Sequence, residues 1–103
     1  MGLLDIFFGN KTERIKDFES RDAIILDVRS KTEYDSGAIP GSKHIPLQQL
    51  TQKIDTVKKL NKPIITCCAS GVRSASAASI LKSNNIEAIN GGGWYKLSKK
   101  LNL

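Results

Sequence analysis

The sequence predicts an α/β fold in which a central, mainly parallel sheet of roughly four to five short strands carries helices on both faces. Short apolar runs such as Ile24-Ile25-Leu26 and Ile64-Ile65-Thr66 are rich in β-branched residues, as expected of strands buried on both faces. Longer segments between these runs repeat apolar residues at helical spacing. Because the two patterns alternate along the chain, we expect parallel strands connected by helices.

Before residue 62, these patterns predict a helix at 11–18, a strand at 22–27, a helix at 31–36, a strand at 44–45 and a helix at 47–60. The last of these helices is indicated by apolar residues at helical intervals, namely Leu47, Leu50, Ile54 and Val57. Pro40 sets a turn over 37–41 between the second helix and the second strand. Residues 1–20 contain no recognisable first strand, so we interpret them as an N-terminal extension or edge element.

After residue 62, we expect a strand at 63–67, a loop, a helix at 74–83 and a strand at 86–90. The helix is indicated by small and apolar residues at helical spacing, namely Ala75, Ala77, Ala78, Ile80 and Leu81. Ser70 or Ser74 is suited to cap its first turn. The glycines at 91–93 are expected to form a tight turn beside the loop, because they lack the Lys-Ser/Thr of a phosphate-binding loop.

The loop between the third strand and its helix begins with the hexapeptide Cys68-Ala69-Ser70-Gly71-Val72-Arg73. Active sites of such folds lie beyond the carboxyl ends of the strands, which is where Cys68 falls. Loop N–H groups, the N-terminus of the following helix and the guanidinium of Arg73 all favour negative charge. Together they predict a thiolate, because such surroundings lower a cysteine pKa from about 8.5 to between roughly 3.5 and 7.5.

Four blocks of sequence, in order, carry a family resemblance: residues 24–29 ending in Asp-Val-Arg with Glu-Tyr at 33–34, Gly-Ala-Ile-Pro-Gly-Ser-Lys-His-Ile-Pro at 37–46, Cys-Ala-Ser-Gly-Val-Arg-Ser at 68–74, and Gly-Gly-Gly-Trp at 91–94. They resemble the motifs of rhodanese-like sulfurtransferases, whose active-site loop reads CxxGxRS. The resemblance implies the rhodanese-like α/β fold. It covers about residues 21–97, which we interpret as the core of a single rhodanese-like domain spanning 1–103.

The resemblance also implies a reaction. In that family, the cysteine thiolate takes the outer sulfur of an anionic donor such as thiosulfate as a persulfide and passes it to a second nucleophile. Cys68 is therefore the expected nucleophile, and the cradle for the anion is the backbone of Ala69, Ser70, Gly71, Val72 and Arg73. Arg73 is also expected to order the loop or to bind the donor's charge. We expect no metal or organic cofactor, because the cysteine itself carries the sulfur. The expected acceptors are thiols, thioredoxin-like proteins or sulfur-carrier proteins.

Three further residues, Asp27, Arg29 and Ser74, are predicted to support the site. Asp27 ends a neighbouring strand and is suited either to orienting the loop or to a structural salt bridge or cap. Arg29 and Glu33 are four residues apart at a helix start, so we expect them to pair with each other in a structural role. His44, the only histidine, is interpreted as a packing or hydrogen-bonding residue rather than a general base.

Two alternative functions stay open. Counted from Cys67, the sequence reads Cys-x5-Arg, the signature of cysteine phosphatases and arsenate reductases, whose wider loop surrounds the three oxygens of a phosphoryl group. Against this hypothesis, Gly71 falls in the sulfurtransferase register and Cys67 is better explained as the last buried residue of a strand. The second alternative is a non-catalytic rhodanese-like binding module, although the thiol, the glycine and the arginine are all present.

Composition excludes several other classes of function. The chain has 103 residues and a formal net charge of +6, but its lysines are dispersed without interleaved aromatics, so we expect no nucleic-acid binding. No apolar stretch approaches the roughly 20 residues of a membrane span. Cys67 and Cys68, the only cysteines, are adjacent, which is unsuited to a disulfide or a zinc site and fits a reducing compartment. We therefore expect a cytoplasmic monomer that binds no metal and no membrane.

Overall fold

Helices and strands alternate along the part of the chain that the computed structural model describes, residues 10–103; predictions for residues 1–9 lie outside it. The elements are α1 (Lys11–Ser20), β1 (Ile24–Asp27), α2 (Lys31–Asp35), β2 (Lys43–His44), α3 (Leu47–Leu50), a 3₁₀ turn (Thr51–Lys53), α4 (Ile54–Leu60), β3 (Ile64–Cys68), α5 (Val72–Ser83), β4 (Ala88–Gly93) and α6 (Trp94–Lys100). None of these helices has the length and apolar character needed to cross a membrane.

The sheet, as far as residues 10–103 define it, has four strands in the order β2-β1-β3-β4, and every neighbouring pair is parallel. This confirms the predicted α/β class. Asp27 of β1 pairs in register with Cys67 of β3, and Cys68 pairs with Gly93 of β4. The carboxyl ends of these three strands therefore meet at one end of the sheet, where Cys68 lies.

Each face of the sheet packs on its own apolar cluster. The face beneath α3, α4 and α5 contributes to a cluster of Leu26, Val28, Ile45, Leu50, Val57, Ile64, Cys68, Ala77, Ala78, Leu81, Ile86 and Ala88. The face beneath α1 and α6 contributes to a cluster of Ile15, Phe18, Ile39, Ile65, Cys67, Ile89, Leu97 and Leu101. Helices thus cover both faces, as predicted. The two cysteines belong to different clusters because successive side chains of a strand point to opposite faces.

The predicted helix at 47–60 is wrong in one respect, because it is interrupted by the 3₁₀ turn between α3 and α4. At the interruption, Lys53 adopts φ −117° and ψ 19°, outside the helical region. Leu50 and Val57 lie on either side of the turn, yet both are buried in the same cluster. The apolar spacing therefore does not reveal the break.

The glycine run at 91–93 does not form the predicted tight turn; it is the end of β4, where Gly93 pairs with Cys68. At Gly91 there is no room for a side chain. A Cβ atom there would lie 2.7 Å from Ile65 Cγ2, 2.8 Å from the Thr66 carbonyl oxygen and 2.9 Å from Leu97 Cδ2. Glycine at this position lets β4 approach β3 closely at the end of the sheet where Cys68 lies.

Replacing Gly91 by alanine is expected to lower the free energy of unfolding by about 1 to 3 kcal/mol, because the added methyl group overpacks the space between β3 and α6. Urea denaturation of the two proteins measures the change. Gly41→Asn serves as the control, since nothing lies within 4 Å of a Cβ at Gly41 and asparagine adopts a positive φ, here +81°, more readily than most residues. Equal stability of Gly91→Ala and the parent protein would contradict this packing argument.

Candidate active site

Cys68 is the last residue of β3, and the chain turns immediately after it into α5. Its sulfur accepts hydrogen bonds from the backbone N–H groups of Gly71, at 3.0 Å, and Ser74, at 3.4 Å. The Ser74 hydroxyl oxygen lies 3.3 Å from the same sulfur. Donors from the loop and from the first turn of α5 therefore converge on one atom.

These contacts lower the pKa of the Cys68 thiol from its ordinary value. Burial, the largest single effect, raises the pKa because it disfavours the charged form. The combined hydrogen bonds of the Ser74 hydroxyl and of the Ser74, Gly71 and Ser70 backbone N–H groups act in the opposite direction and outweigh it. The predicted lowering thus comes from the loop's hydrogen-bond donors.

Cys68 is buried, with only 1% of its surface exposed. β3 extends one residue further than the predicted 63–67, which places Cys68 within the sheet, where it pairs with Gly93 of β4. Ala69, Ser70 and Val72 are exposed above it, Val72 by 74%.

Two close backbone contacts hold the loop in shape. Gly71 adopts φ +105°, a backbone conformation that residues with a side chain rarely adopt. A Cβ atom at this position would lie 3.3 Å from Gly92 Cα. A Cβ at Gly93 would lie 2.9 Å from the Ala69 carbonyl oxygen. The end of β4 thus supports the loop from Ala69 to Gly71, and the glycines at its end make this approach possible.

Arg73 pairs with Glu33, and not with the Cys68 sulfur. Its guanidinium donates to both carboxylate oxygens of Glu33, at 2.7 and 2.9 Å. Hydrogen bonding from Arg73, followed by that from the Ser30 backbone, lowers the pKa of Glu33 to about 2. The predicted Arg29–Glu33 pair is therefore wrong, because Glu33 of α2 forms its ion pair with Arg73 at the start of α5. Of the two roles predicted for Arg73, this geometry favours ordering the loop.

Arg29 pairs instead with Asp27, and both side chains are buried, with 4% and 0% of their surfaces exposed. Arg29 Nη2 lies 2.8 Å from Asp27 Oδ2 and donates to the Gly37 carbonyl oxygen at 2.7 Å. Its guanidinium carbon also lies 4.6 Å from the centre of the Trp94 ring. Of the two roles predicted for Asp27, the structure therefore favours the structural salt bridge.

Ser74 is placed beside Cys68, but the predicted cap at Ser70 or Ser74 is wrong. Helix α5 begins at Val72, and its N-cap residue is Gly71, which has no side chain to cap with. The Ser74 hydroxyl instead donates to Asn90 Oδ1 at 2.6 Å. Asn90 is a site residue that the sequence analysis missed; the available signal was a polar residue at the end of an apolar strand beside the glycine run.

Cys67 and His44 have no contact with the Cys68 sulfur among the described hydrogen bonds. Cys67 is fully buried, and burial followed by the charge of Asp27 raises the pKa of its thiol to about 12. The Nε2 atom of His44 lies 2.7 Å from the Arg29 carbonyl oxygen, and its ring stacks on Tyr34 with centroids 4.4 Å apart. These contacts fit the packing and hydrogen-bonding role predicted for His44.

The two thiols are expected to differ sharply in alkylation by iodoacetamide. The rate at Cys68 should rise with pH and level off with a midpoint below that of an ordinary cysteine, because only the thiolate reacts and its pKa is lowered. Cys67 should stay unmodified until the protein is unfolded, because its pKa is raised to about 12 and the thiol stays protonated at lower pH. Peptide mass spectrometry over a pH series measures both. A Cys68 midpoint at or above the ordinary value would contradict the hydrogen-bond argument.

Comparison with known proteins identifies a family model and several proteins that are similar to this chain. Residues 11–100 match the family model described as Rhodanese-like domain. Uncharacterized protein YqhL of Bacillus subtilis is 36% identical over 83 residues, which cover 79% of this chain. Thiosulfate sulfurtransferase GlpE of Pseudoalteromonas translucida is 31% identical over 71 residues, covering 69% of this chain and 67% of GlpE. A crystal structure of a rhodanese-like domain protein from Staphylococcus aureus superposes with a TM-score of 0.69 at 34% identity, covering 84% of this chain and 85% of that one.

Some relatives are considerably longer than this chain. The match covers 65% of YqhL. It covers 13% of the tRNA sulfurtransferase of Thermoplasma volcanium, which is 36% identical over 67 residues, or 65% of this chain. The shared part is thus one segment of a larger protein in such cases.

Proposed function

The chain belongs to the rhodanese-like family, and on that premise we propose that it is a sulfurtransferase that carries sulfane sulfur as a persulfide on Cys68. The observation that carries this proposal is the convergence of the Gly71 N–H, the Ser74 N–H and the Ser74 hydroxyl on the Cys68 sulfur. Hydrogen bonds to charged groups contribute roughly 1.5 to 3 kcal/mol each, so they favour a thiolate even where little water reaches it.

The proposed reaction has two displacement steps. The Cys68 thiolate attacks the outer sulfur of a small anionic donor such as thiosulfate. The S–S bond of the donor breaks, and its electron pair leaves with sulfite. In the second step, an acceptor nucleophile attacks the outer sulfur now bound to Cys68, and the electron pair of that bond returns to Cys68 as a thiolate. No metal or organic cofactor is needed, because the cysteine carries the sulfur.

Recognition of the donor is proposed to depend on the backbone of residues 69–73. The charge of Arg73 is already shared with Glu33, and Val72 presents an exposed apolar side chain. The near-complete burial of Cys68 favours a donor that ends in a single sulfur atom. We propose a thiol, a thioredoxin-like protein or a sulfur-carrier protein as the acceptor, with no role for nucleic acid or membranes. We also propose that the protein is a monomer and works in the cytoplasm; its two free thiols fit a reducing compartment.

The phosphatase or arsenate-reductase alternative needs Cys67 as the nucleophile. Its thiol is fully buried, faces the other side of the sheet and has its pKa raised to about 12. None of these properties favours nucleophilic attack at neutral pH. The binding-module alternative is less favoured because the hydrogen bonds around Cys68 lower the pKa of a thiol that a module does not need.

Assays of the purified protein with thiosulfate plus cyanide and with an aryl phosphate, run side by side, separate these alternatives. The proposal predicts formation of thiocyanate and no phosphate release. Phosphate release without sulfur transfer would support the Cys67 hypothesis. Absence of both activities, with thiosulfate and with glutathione persulfide as donors, would support the binding module.

A further inference from the structure

Asn90, the third residue of β4, forms hydrogen bonds with three parts of the active site. Its Nδ2 donates to the Gly71 carbonyl oxygen at 3.0 Å. Its Oδ1 accepts from the Gly92 backbone N–H at 2.9 Å and from the Ser74 hydroxyl at 2.6 Å. The reaction proposed above assigns no role to the Asn90 side chain.

The contact between Asn90 and Ser74 bears directly on Cys68. A serine hydroxyl carries one hydrogen, so it can donate to one acceptor at a time while its oxygen accepts from another group. Ser74 is fully buried, and its Oγ lies 2.6 Å from Asn90 Oδ1 and 3.3 Å from the Cys68 sulfur. Asn90 and Cys68 therefore compete for the same proton.

The preferred acceptor depends on the charge of the Cys68 sulfur. An uncharged thiol can donate its own hydrogen to Ser74 Oγ, which leaves the hydroxyl free to donate to Asn90. A thiolate has no hydrogen to donate and is a stronger acceptor, because a charged acceptor roughly doubles the strength of a hydrogen bond. Asn90 is not left without a donor in that state, since the Gly92 N–H still binds its Oδ1.

We propose that Asn90 is a positioning residue that holds the Ser74 hydroxyl hydrogen while the Cys68 sulfur is uncharged and yields it to that sulfur when it becomes a thiolate. This inference deepens the proposed sulfur transfer and rests on it for its catalytic meaning. In the persulfide, the charge lies on the outer sulfur, so the hydroxyl returns to Asn90. When the acceptor removes that sulfur, the hydroxyl donates again to the departing Cys68 thiolate.

The other Asn90 contact serves the same site. The Gly71 carbonyl oxygen accepts from Asn90 Nδ2 and from the Ala75 N–H, at 3.0 and 3.1 Å. Because the peptide group is planar and trans, fixing this carbonyl also fixes the direction of the Val72 N–H at the start of α5. Asn90 thus orders the loop as well as the hydroxyl, and a test must separate the two effects.

A double-mutant cycle on the intact chain makes this separation. The pKa of Cys68 is measured from the ultraviolet absorbance of its thiolate over a pH series, which needs no reagent to reach the buried sulfur, in the parent protein, Asn90→Ala, Ser74→Ala and the double variant. Ser74→Ala removes the hydroxyl but keeps the backbone N–H that binds the sulfur. Arg73 and Cys67, two described ionisable groups that interact with Cys68 electrostatically, are unchanged in all four proteins, so their effects cancel.

The proposal predicts that the two substitutions are not additive. With Ser74 present, Asn90→Ala should shift the Cys68 pKa further downward than it does without Ser74, by about 0.5 unit or more, because the hydroxyl then donates only to sulfur. Equal shifts in the two backgrounds, or coupling of the opposite sign, would overturn the proposal, even if Asn90→Ala lowers the melting temperature. The measurement needs no sulfur donor. Coupling in a protein that transfers no sulfur would therefore reject the proposed function alone.

Discussion

Replacing Cys68 by serine is expected to reduce sulfur transfer from thiosulfate to cyanide more than about a thousandfold. Serine keeps the size and the hydrogen bonds of the site, but its hydroxyl does not ionise near neutral pH and cannot carry sulfur as a persulfide. The kcat/KM of thiocyanate formation, measured with the purified protein, gives the effect. The loss should appear in kcat, because the variant still offers the same loop to the donor.

Cys67→Ala is the matched control, because Cys67 is the neighbouring thiol but lies in the opposite apolar cluster. It should keep the rate of transfer per folded molecule while lowering stability, since it removes a buried sulfur atom. The reverse pattern, with activity kept in Cys68→Ser and lost in Cys67→Ala, would assign the chemistry to Cys67.

Replacing Asp27 by alanine is expected to lower the free energy of unfolding by about 3 to 5 kcal/mol, the cost of leaving a buried charge without its partner. Asp27 and Arg29 are almost completely buried, and the carboxylate receives hydrogen bonds from the guanidinium and from the Arg29 backbone N–H. Arg29 in turn holds the Gly37 carbonyl, so the segment before β2 should loosen as well. Urea denaturation measures the loss.

Asp35→Ala provides the comparison for this prediction, because Asp35 forms an exposed ion pair with Lys31. It should cost no more than about 0.5 kcal/mol. If Asp27→Ala does not fold, Asp27→Asn keeps the shape of the side chain and should still be destabilised. A stability of either Asp27 variant close to that of Asp35→Ala would contradict a structural role for the buried pair.

The sequence predicts the scaffold well because the signals for it are local. The β-branched runs mark β1 and β3, and the small residues of 74–83 mark most of α5. The break in 47–60 leaves the apolar spacing intact and therefore has no local signal. The glycine run is ambiguous for a different reason: glycine permits both a tight turn and a close approach of strands, and only the neighbouring β3 decides between them.

The site is predicted in its centre and less well in its surroundings. Cys68 and its loop follow from one short motif, but the partner of Arg73 lies 40 residues away and could not be chosen by spacing. One local signal for the placement of Glu33 was nevertheless available in the sequence. Ser30 and Glu33 form a capping box, with the Glu33 carboxylate accepting from the Ser30 backbone N–H, and this pattern can be read from Ser-x-x-Glu at a helix start.

The central claim, that Cys68 accepts and releases a sulfur atom, is tested most directly by the mass of the protein after treatment with thiosulfate. Mass spectrometry of the intact chain and of its peptides should show a gain of about 32 Da, one sulfur atom, on Cys68, and cyanide should remove it. Cys67 should show no gain. A protein that gains no sulfur at Cys68, from thiosulfate or from glutathione persulfide, would contradict the account.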